Sequence, residues 1–223
     1  MQDFSKIEAR AAKRKGGADA LQQSMPTPKP ARALARIGDD RWLAAMTKGV
    51  FSAGFVWKVI EAKWDGFEAA FGRFVPAEVA TLSDAALDEL AEDARIVRNR
   101  QKIWATRDNA RMVIDLAVEH GSFAKMVARW PSTDLIGLYD RLAKEGSRLG
   151  GLTGQYLMRT QGKDTFMLTP DVLQALVAAK VLDAPKATSK KAKQAVQAAF
   201  DAWAAQTGRP LCQLSRILAC SVP

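Results

Sequence analysis

The stretch Arg148-Leu149-Gly150-Gly151-Leu152-Thr153-Gly154-Gln155-Tyr156 decides how this chain is read. It lies between two segments of helical periodicity, about Ser132 to Lys144 and Thr153 to Thr160. Glycines at this place permit positive φ and let another backbone approach closely. The second segment opens with N–H groups that have no acceptor inside the helix. Together with the helix dipole they form an anion site. A helix-hairpin-helix motif holds a nucleic-acid phosphate in this way, so Gly150, Gly151, Thr153 and Gly154 are the expected phosphate ligands, with Gln155 and Arg148 beside them. The competing reading is a helix corner whose glycine pair serves packing alone.

Eighteen residues beyond Thr153 stands Asp171, in Leu168-Thr169-Pro170-Asp171-Val172. Thr169 can cap a helix starting at Pro170, which places the Asp171 carboxylate in the first turn. On local grounds alone this is a favourable place for any acidic side chain.

The remaining chain is helical in pattern, with almost no β-branched alternation and no internal repeat. Residues 1–38 read as a basic N-terminal arm, partly extended. A short helix before Gly16-Gly17 carries Lys6, Arg10, Lys13, Arg14 and Lys15, and Pro26, Pro28 and Pro30 then favour extended backbone. The arm is either a loosely held tail or a basic extension that adds to DNA binding. Residues 39–223 read as one helical domain with the hairpin near 140–160. Asp39-Asp40 caps a helix through Trp42, Leu43 and Met46. A second helix from near Ser52 carries Trp57, Ile60 and Trp64, and Phe67, Phe71 and Phe74 extend its apolar pattern to Pro76. A long helix is expected from Asn99 to His120, and the last two over about 190–207 and 211–218.

Thirty-three Lys and Arg against 24 Asp and Glu give a formal charge of +9 and a pI near 9.7. Such a surface attracts polyanions, nucleic acid foremost and an anionic membrane second. Cys212 and Cys220 are too few for a disulfide framework, and the charged N-terminus does not resemble a secretory leader, so a cytoplasmic compartment is expected. No apolar run is long enough to span a bilayer. His120 is the one histidine, and with two distant cysteines it cannot build a zinc site, so no metal and no cofactor are expected.

Three further segments carry a family resemblance. Residues Phe51-Ser52-Ala53-Gly54-Phe55-Val56-Trp57-Lys58-Val59-Ile60 resemble the N-terminal signature of the DNA-3-methyladenine glycosylase I family. Phe67-Glu68-Ala69-Ala70-Phe71 and Arg95-Ile96-Val97-Arg98-Asn99-Arg100-Gln101-Lys102-Ile103 are similar to its continuation, as is the step Asn109-Ala110-Arg111. The resemblance covers roughly residues 39–180 and implies an all-α helix-hairpin-helix glycosylase fold.

It also implies a chemistry. Such enzymes rotate a damaged base out of the duplex, because its glycosidic bond is inaccessible within the stack. Trp57 would stack on that base, its indole face favouring a cationic alkylated purine. Phe51 and Phe55 would complete the pocket wall. The competing reading of all three is a helical core stripe. In the wider superfamily the hairpin is followed at about this spacing by a catalytic aspartate, a role the resemblance gives Asp171: its carboxylate stabilises the oxocarbenium-like sugar and orients water. Members that also cut the backbone carry a lysine just before the position of Thr153. Leu152 stands here, implying a monofunctional glycosylase without a lyase step.

Three departures separate the chain from the family's well-known members. They bind zinc near both termini, and no matching ligand set is present. They place a glutamate eight residues before the tryptophan, where this chain has Gly49. They are thought to do without the superfamily aspartate. The expectation is therefore a divergent monomeric glycosylase acting on double-stranded damaged DNA, with no membrane association. The alternative is a DNA-binding protein on the same scaffold that has no catalysis. The basic run Arg95, Arg98, Arg100, Lys102, Arg107, Arg111 is either a solvated helix face or, in part, a phosphate-facing one.

Overall fold

Short polar side chains open several helices where the sequence places them. The Asn99 side chain accepts from Lys102 N at 3.1 Å, Ser122 from Lys125 N at 2.9 Å, and Ser189 from Ala192 N at 3.1 Å. The computed structural model describes residues 1–223. It contains α1 (Phe4–Lys15), α2 (Ala18–Gln23), α3 (Ala31–Leu34), α4 (Asp39–Ser52), α5 (Trp57–Ala62), α6 (Trp64–Ala70), α7 (Pro76–Ala80) and α8 (Asp84–Glu92). The series continues with α9 (Arg100–His120), α10 (Phe123–Arg129), α11 (Leu135–Glu145), α12 (Leu152–Gln161), α13 (Pro170–Ala178), α14 (Lys190–Thr207) and α15 (Leu211–Cys220). There is no strand, and the all-α expectation holds.

The chain divides into two units rather than an arm and a single domain. One comprises Pro30–Trp130 and Tyr139–Leu157, the other Met1–Lys29, Pro131–Leu138 and Met158–Pro223. In the first unit α9 is the central helix, with α4, α7, α8 and α10 packed on it. Ile103 and Ala110 of α9 share one core with Leu43, Phe51, Ile60, Phe67, Phe71 and Phe74, all essentially without exposed surface. Aromatic edges and faces fill this core: Phe51 lies edge-on to Phe67 at 4.7 Å, and Trp64 stacks on Phe74 at 5.5 Å.

Two local breaks differ from the pattern expected of residues 52–76. The second helix does not start near Ser52: α4 runs to that residue, a turn follows, and α5 begins at Trp57. The phenylalanine series is also not one helix. After α6 the backbone takes a left-handed turn, with φ of 55°, 56° and 60° at Gly72, Arg73 and Phe74. Two non-glycine residues in that region cost about 1–2 kcal/mol each. Burial of Phe71 and Phe74 offsets this, and Arg41 ties the turn down by donating to the Arg73 carbonyl at 2.6 Å and to Glu68 at 2.7 Å.

In the second unit α1 and α13 pack on α15. The N-terminal segment, read first as a loosely held tail, is a folded part of this core. Phe4, Ile7 and Ala11 are fully buried, Phe4 meets Trp203 at 5.5 Å, and the Trp203 indole donates to the Gln2 carbonyl at 3.1 Å. The physical reason is the spacing of these three apolar residues, which gives α1 a narrow stripe to bury. Residues 25–30 lie outside any helix between α2 and α3, and Pro30 has extended backbone. Asp164 caps α15 from outside by accepting from Leu211 N at 3.2 Å and Cys212 N at 2.9 Å.

Candidate functional site

The hairpin is formed by α11, the residues 146–151 and α12, of which residues 139–157 belong to the first unit. Its glycines have different jobs. Gly151 has φ of 58°, the left-handed region, with open space around it. Gly154 permits a close approach: a Cβ there would lie 2.4 Å from the Leu149 carbonyl oxygen. Gly150 has ordinary φ, and a Cβ on it would only touch Ala143 at 3.6 Å. Arg148 is exposed at φ 61° and donates to Gln101. The turn is held from α9 by Asn109, which is wholly buried. Its amide donates to the Ser147 carbonyl at 3.1 Å and its oxygen accepts from Ser147 N at 2.8 Å. This reciprocal pair fixes the loop like one rung of a sheet.

Gln155 does not stand on the hairpin surface. It is 7% exposed, so the side chain expected to touch DNA is turned inward. The hairpin reaches α4 through a different residue: a Cβ on Gly49 would lie 3.8 Å from Thr153 Cγ2. The position where the resemblance expects a glutamate thus faces the start of α12.

The turn between α4 and α5 presents its apolar side chains to solvent. Phe55, Val56, Trp57 and Val59 are 44%, 64%, 59% and 44% exposed. Exposed apolar residues of this size in one short segment are a candidate binding surface and not a core stripe. Phe51 behaves oppositely. It has no exposed surface and belongs to the core, so it does not line an open pocket wall. Phe51 parts from Phe55 and Trp57, with which the resemblance grouped it, because α4 ends between them.

Lys102 joins these parts. Its residue is 6% exposed, and Nζ donates to the Phe51 carbonyl at 3.1 Å and the Ala53 carbonyl at 2.6 Å. The same ammonium lies 4.5 Å from the centre of the Phe55 ring. A cation at the carbonyl end of α4 also complements its dipole. Burial, and then the nearby Arg148 charge, push this amine below the usual lysine range. Lys102 therefore holds the end of α4 and the Phe55 ring while feeling the hairpin's arginine.

Four others of the basic run are spent on structure, and Arg98 is exposed. Arg95 pairs with Asp93 at 2.7 Å and Arg100 with Asp88 at 2.8 Å. Arg107 donates to Asp84 at 2.6 Å and to the Leu82 carbonyl at 3.0 Å, and Arg111 to the Ala80 carbonyl at 3.2 Å. Beside α9 a groove of about 490 Å³ is lined by Asp115, Glu119, Arg141 and Glu145 among others, with none of the turn residues 146–151 on its wall. In the second unit Asp171 is exposed in the first turn of α13, where Thr169 caps by accepting from Val172 N at 3.4 Å. Ser215 serves the core there, accepting from Met167 N at 3.0 Å.

Comparison with known proteins agrees with this geometry. Residues 35–142 match the methyladenine glycosylase family. Over 75 residues the chain is 32% identical to DNA-3-methyladenine glycosylase 1 of Escherichia coli (strain K12), a stretch covering 34% of this chain and 40% of that relative. The chain thus matches about two fifths of the length of this curated relative. A variant of 3-methyladenine DNA glycosylase I solved in complex with 3-methyladenine has 20% identity and a TM-score of 0.53, over 66% of this chain and 86% of that one. The Staphylococcus aureus enzyme, studied for its recognition of 3-methyladenine, gives the same score and identity over 66% and 85%. Residues 35–142 are thus similar to the methyladenine glycosylase family, and the all-α fold is like that of 3-methyladenine DNA glycosylase I.

Proposed function

We propose that this protein is a monofunctional DNA glycosylase that releases alkylated purines of the 3-methyladenine kind by hydrolysis of the N-glycosidic bond, in base excision repair. One observation carries this reading. Trp57 and Phe55 stand exposed on a turn that Lys102 secures, in the same unit as a glycine hairpin whose Thr153 lies beside Gly49. A protein that merely needed Trp57 for stability would bury it. In the proposed cycle the hairpin N–H groups at Gly150, Gly151, Thr153 and Gly154 bind a phosphate of damaged duplex DNA, and Arg148 adds charge. The extruded base stacks on Trp57 with Phe55 beside it. Asp171 stabilises the cationic sugar while water attacks. An alkylated purine already carries positive charge and leaves readily, so modest stabilisation suffices. No lyase step follows, because Leu152 offers no amine and the Lys102 amine is bound to two carbonyls.

The test is chromatography of free bases released from methylated duplex DNA. The wild-type protein is expected to release 3-methyladenine or another alkylpurine. Asp171→Asn should lower turnover about a hundredfold or more while duplex binding persists. Unchanged turnover would remove Asp171 from the mechanism. Borohydride should trap no covalent adduct on abasic DNA. A second reading, binding without catalysis, is favoured by Gly49 alone, which supplies no carboxylate beside Thr153. It predicts salt-sensitive duplex binding with no base release from any alkylated substrate.

A further inference from the structure

The positive charge of this chain lies outside the segment that resembles the methyladenine glycosylases. Residues 35–142 hold fifteen Lys and Arg against sixteen Asp and Glu, whereas the other residues hold eighteen against eight. The basic character is therefore an addition to the family segment, not a property of it. Its densest part within one helix is α1. Lys6, Arg10, Lys13 and Arg14 fall at i, i+4, i+7 and i+8, which sets them on one face. Phe4, Ile7 and Ala11 occupy the other, buried face.

None of these four cations makes an ion pair. Arg10 donates to the neutral Gln2 amide at 3.1 Å, and Lys6 contributes only at a distance to holding the Asp3 carboxyl below its usual range, after hydrogen bonds from Ser5 and Gln206. The one acid of α1, Glu8, is engaged by Arg209 at 2.6 Å. Like charges three and four residues apart destabilise a helix unless something neutralises them. Here the protein supplies no ion-pair partner, and Asp3 acts on Lys6 only at a distance.

We propose that the cationic face of α1 is a second phosphate-binding surface, taking the backbone of duplex DNA without sequence preference. This rests on the DNA glycosylase reading for the choice of polyanion. A lipid surface is the other anionic partner a basic helix can serve, but such a helix inserts its apolar face into the bilayer boundary. In α1 that face is already occupied by the core of its own unit, with Phe4 and Ile7 fully buried. What remains is a cationic surface with no apolar complement, the composition suited to a phosphate backbone.

The experiment is binding of full-length protein to an undamaged fluorescent duplex across a salt series. Comparison is between wild type, the quadruple variant Lys6→Gln/Arg10→Gln/Lys13→Gln/Arg14→Gln, and a control with Lys125→Gln and Arg129→Gln on exposed sites of α10. Each lost phosphate contact should lower the slope of log K against log salt by about 0.9, and affinity at low salt should fall about tenfold or more in the quadruple variant. The control should leave the slope per charge nearly unchanged. Single variants Lys6→Gln and Lys13→Gln, each expected to lower the slope by about one contact, cover a quadruple variant that loses helix content. An unaltered slope in the quadruple and single variants overturns the proposal, as does loss of binding to phosphatidylserine vesicles with duplex binding intact. Because the probe carries no lesion, failure of the glycosylase reading shows separately, as duplex binding with no base release from methylated DNA.

Discussion

Lys102 illustrates how one side chain can be read correctly as basic and incorrectly as surface. In sequence it belongs to a run of cations on a long helix. In the fold its ammonium terminates another helix, and the hydrogen bonds to Phe51 and Ala53 are its occupation. Lys102→Met should leave two carbonyls without their donor and cost about 1–3 kcal/mol, measured by urea unfolding. It should also weaken base stacking by letting the Phe55–Trp57 turn wander, seen as a rise in KM larger than any fall in kcat; Lys102→Arg should restore part of it. The pH dependence has a definite sign. The folded-state amine titrates below the usual 10.5, so between its folded and unfolded values the unfolded chain holds more protons. The contribution of this group to stability therefore rises with pH up to the unfolded value, and Lys102→Met should abolish that rise. Trp57 and Asp171 were legible as candidates through the family resemblance, since locally each also fits a core stripe or a helix start. Lys102 was not, because nothing local in the sequence signals that a lysine on α9 reaches the carbonyls that end α4. Phe51 was misgrouped for the related reason that the resemblance does not reveal where a helix stops.

At the scale of elements, the hairpin was readable from its glycines, but their separate roles were not. A sequence marks Gly150, Gly151 and Gly154 alike, whereas the backbone distinguishes them. Gly150→Ala should be nearly neutral, since a Cβ there meets only Ala143 at 3.6 Å. Gly151→Ala should cost about 1 kcal/mol for its left-handed φ. Gly154→Ala places a carbon 2.4 Å from a carbonyl oxygen, so the hairpin must open; a loss of about 1–3 kcal/mol and a clear drop in duplex affinity are expected. Equal effects at the three positions, by thermal unfolding and duplex titration, would contradict the assigned geometry. Asn109→Ala should mimic Gly154→Ala in binding, since it removes both bonds that hold Ser147. The helix α9 begins beside the expected Asn99, and the helix start at Thr169 followed from capping chemistry. The left-handed turn at Gly72–Phe74 did not, because the phenylalanine spacing fits one helix and the break is set by tertiary burial and by Arg41.

For the whole molecule the charge is distributed unevenly, and this has consequences of opposite sign for stability and binding. The unit containing both termini carries fifteen Lys and Arg against eight Asp and Glu, a net +7 of the total +9. Composition alone gives the total; which cations share a folded unit depends on contacts between residues 1–29 and 158–223 that periodicity does not encode. Self-repulsion within such a unit opposes folding and is screened as ionic strength rises, the Debye length shrinking from about 10 Å at 0.1 M to about 3 Å at 1 M. The ion pairs that salt would weaken are largely exposed, such as Arg100–Asp88 and Lys48–Glu61, and are worth little each. Screening of repulsion should win, so Tm of the free protein should rise with sodium chloride. Duplex binding should fall over the same range, since salt removes the entropy of counterion release. A protein whose basic residues were balanced by neighbouring acids would show neither trend strongly. A Tm that falls with salt would mean that the ion pairs outweigh the repulsion, and the excess charge on the terminal unit would then have to be compensated by contacts weaker than those at hydrogen-bond distance.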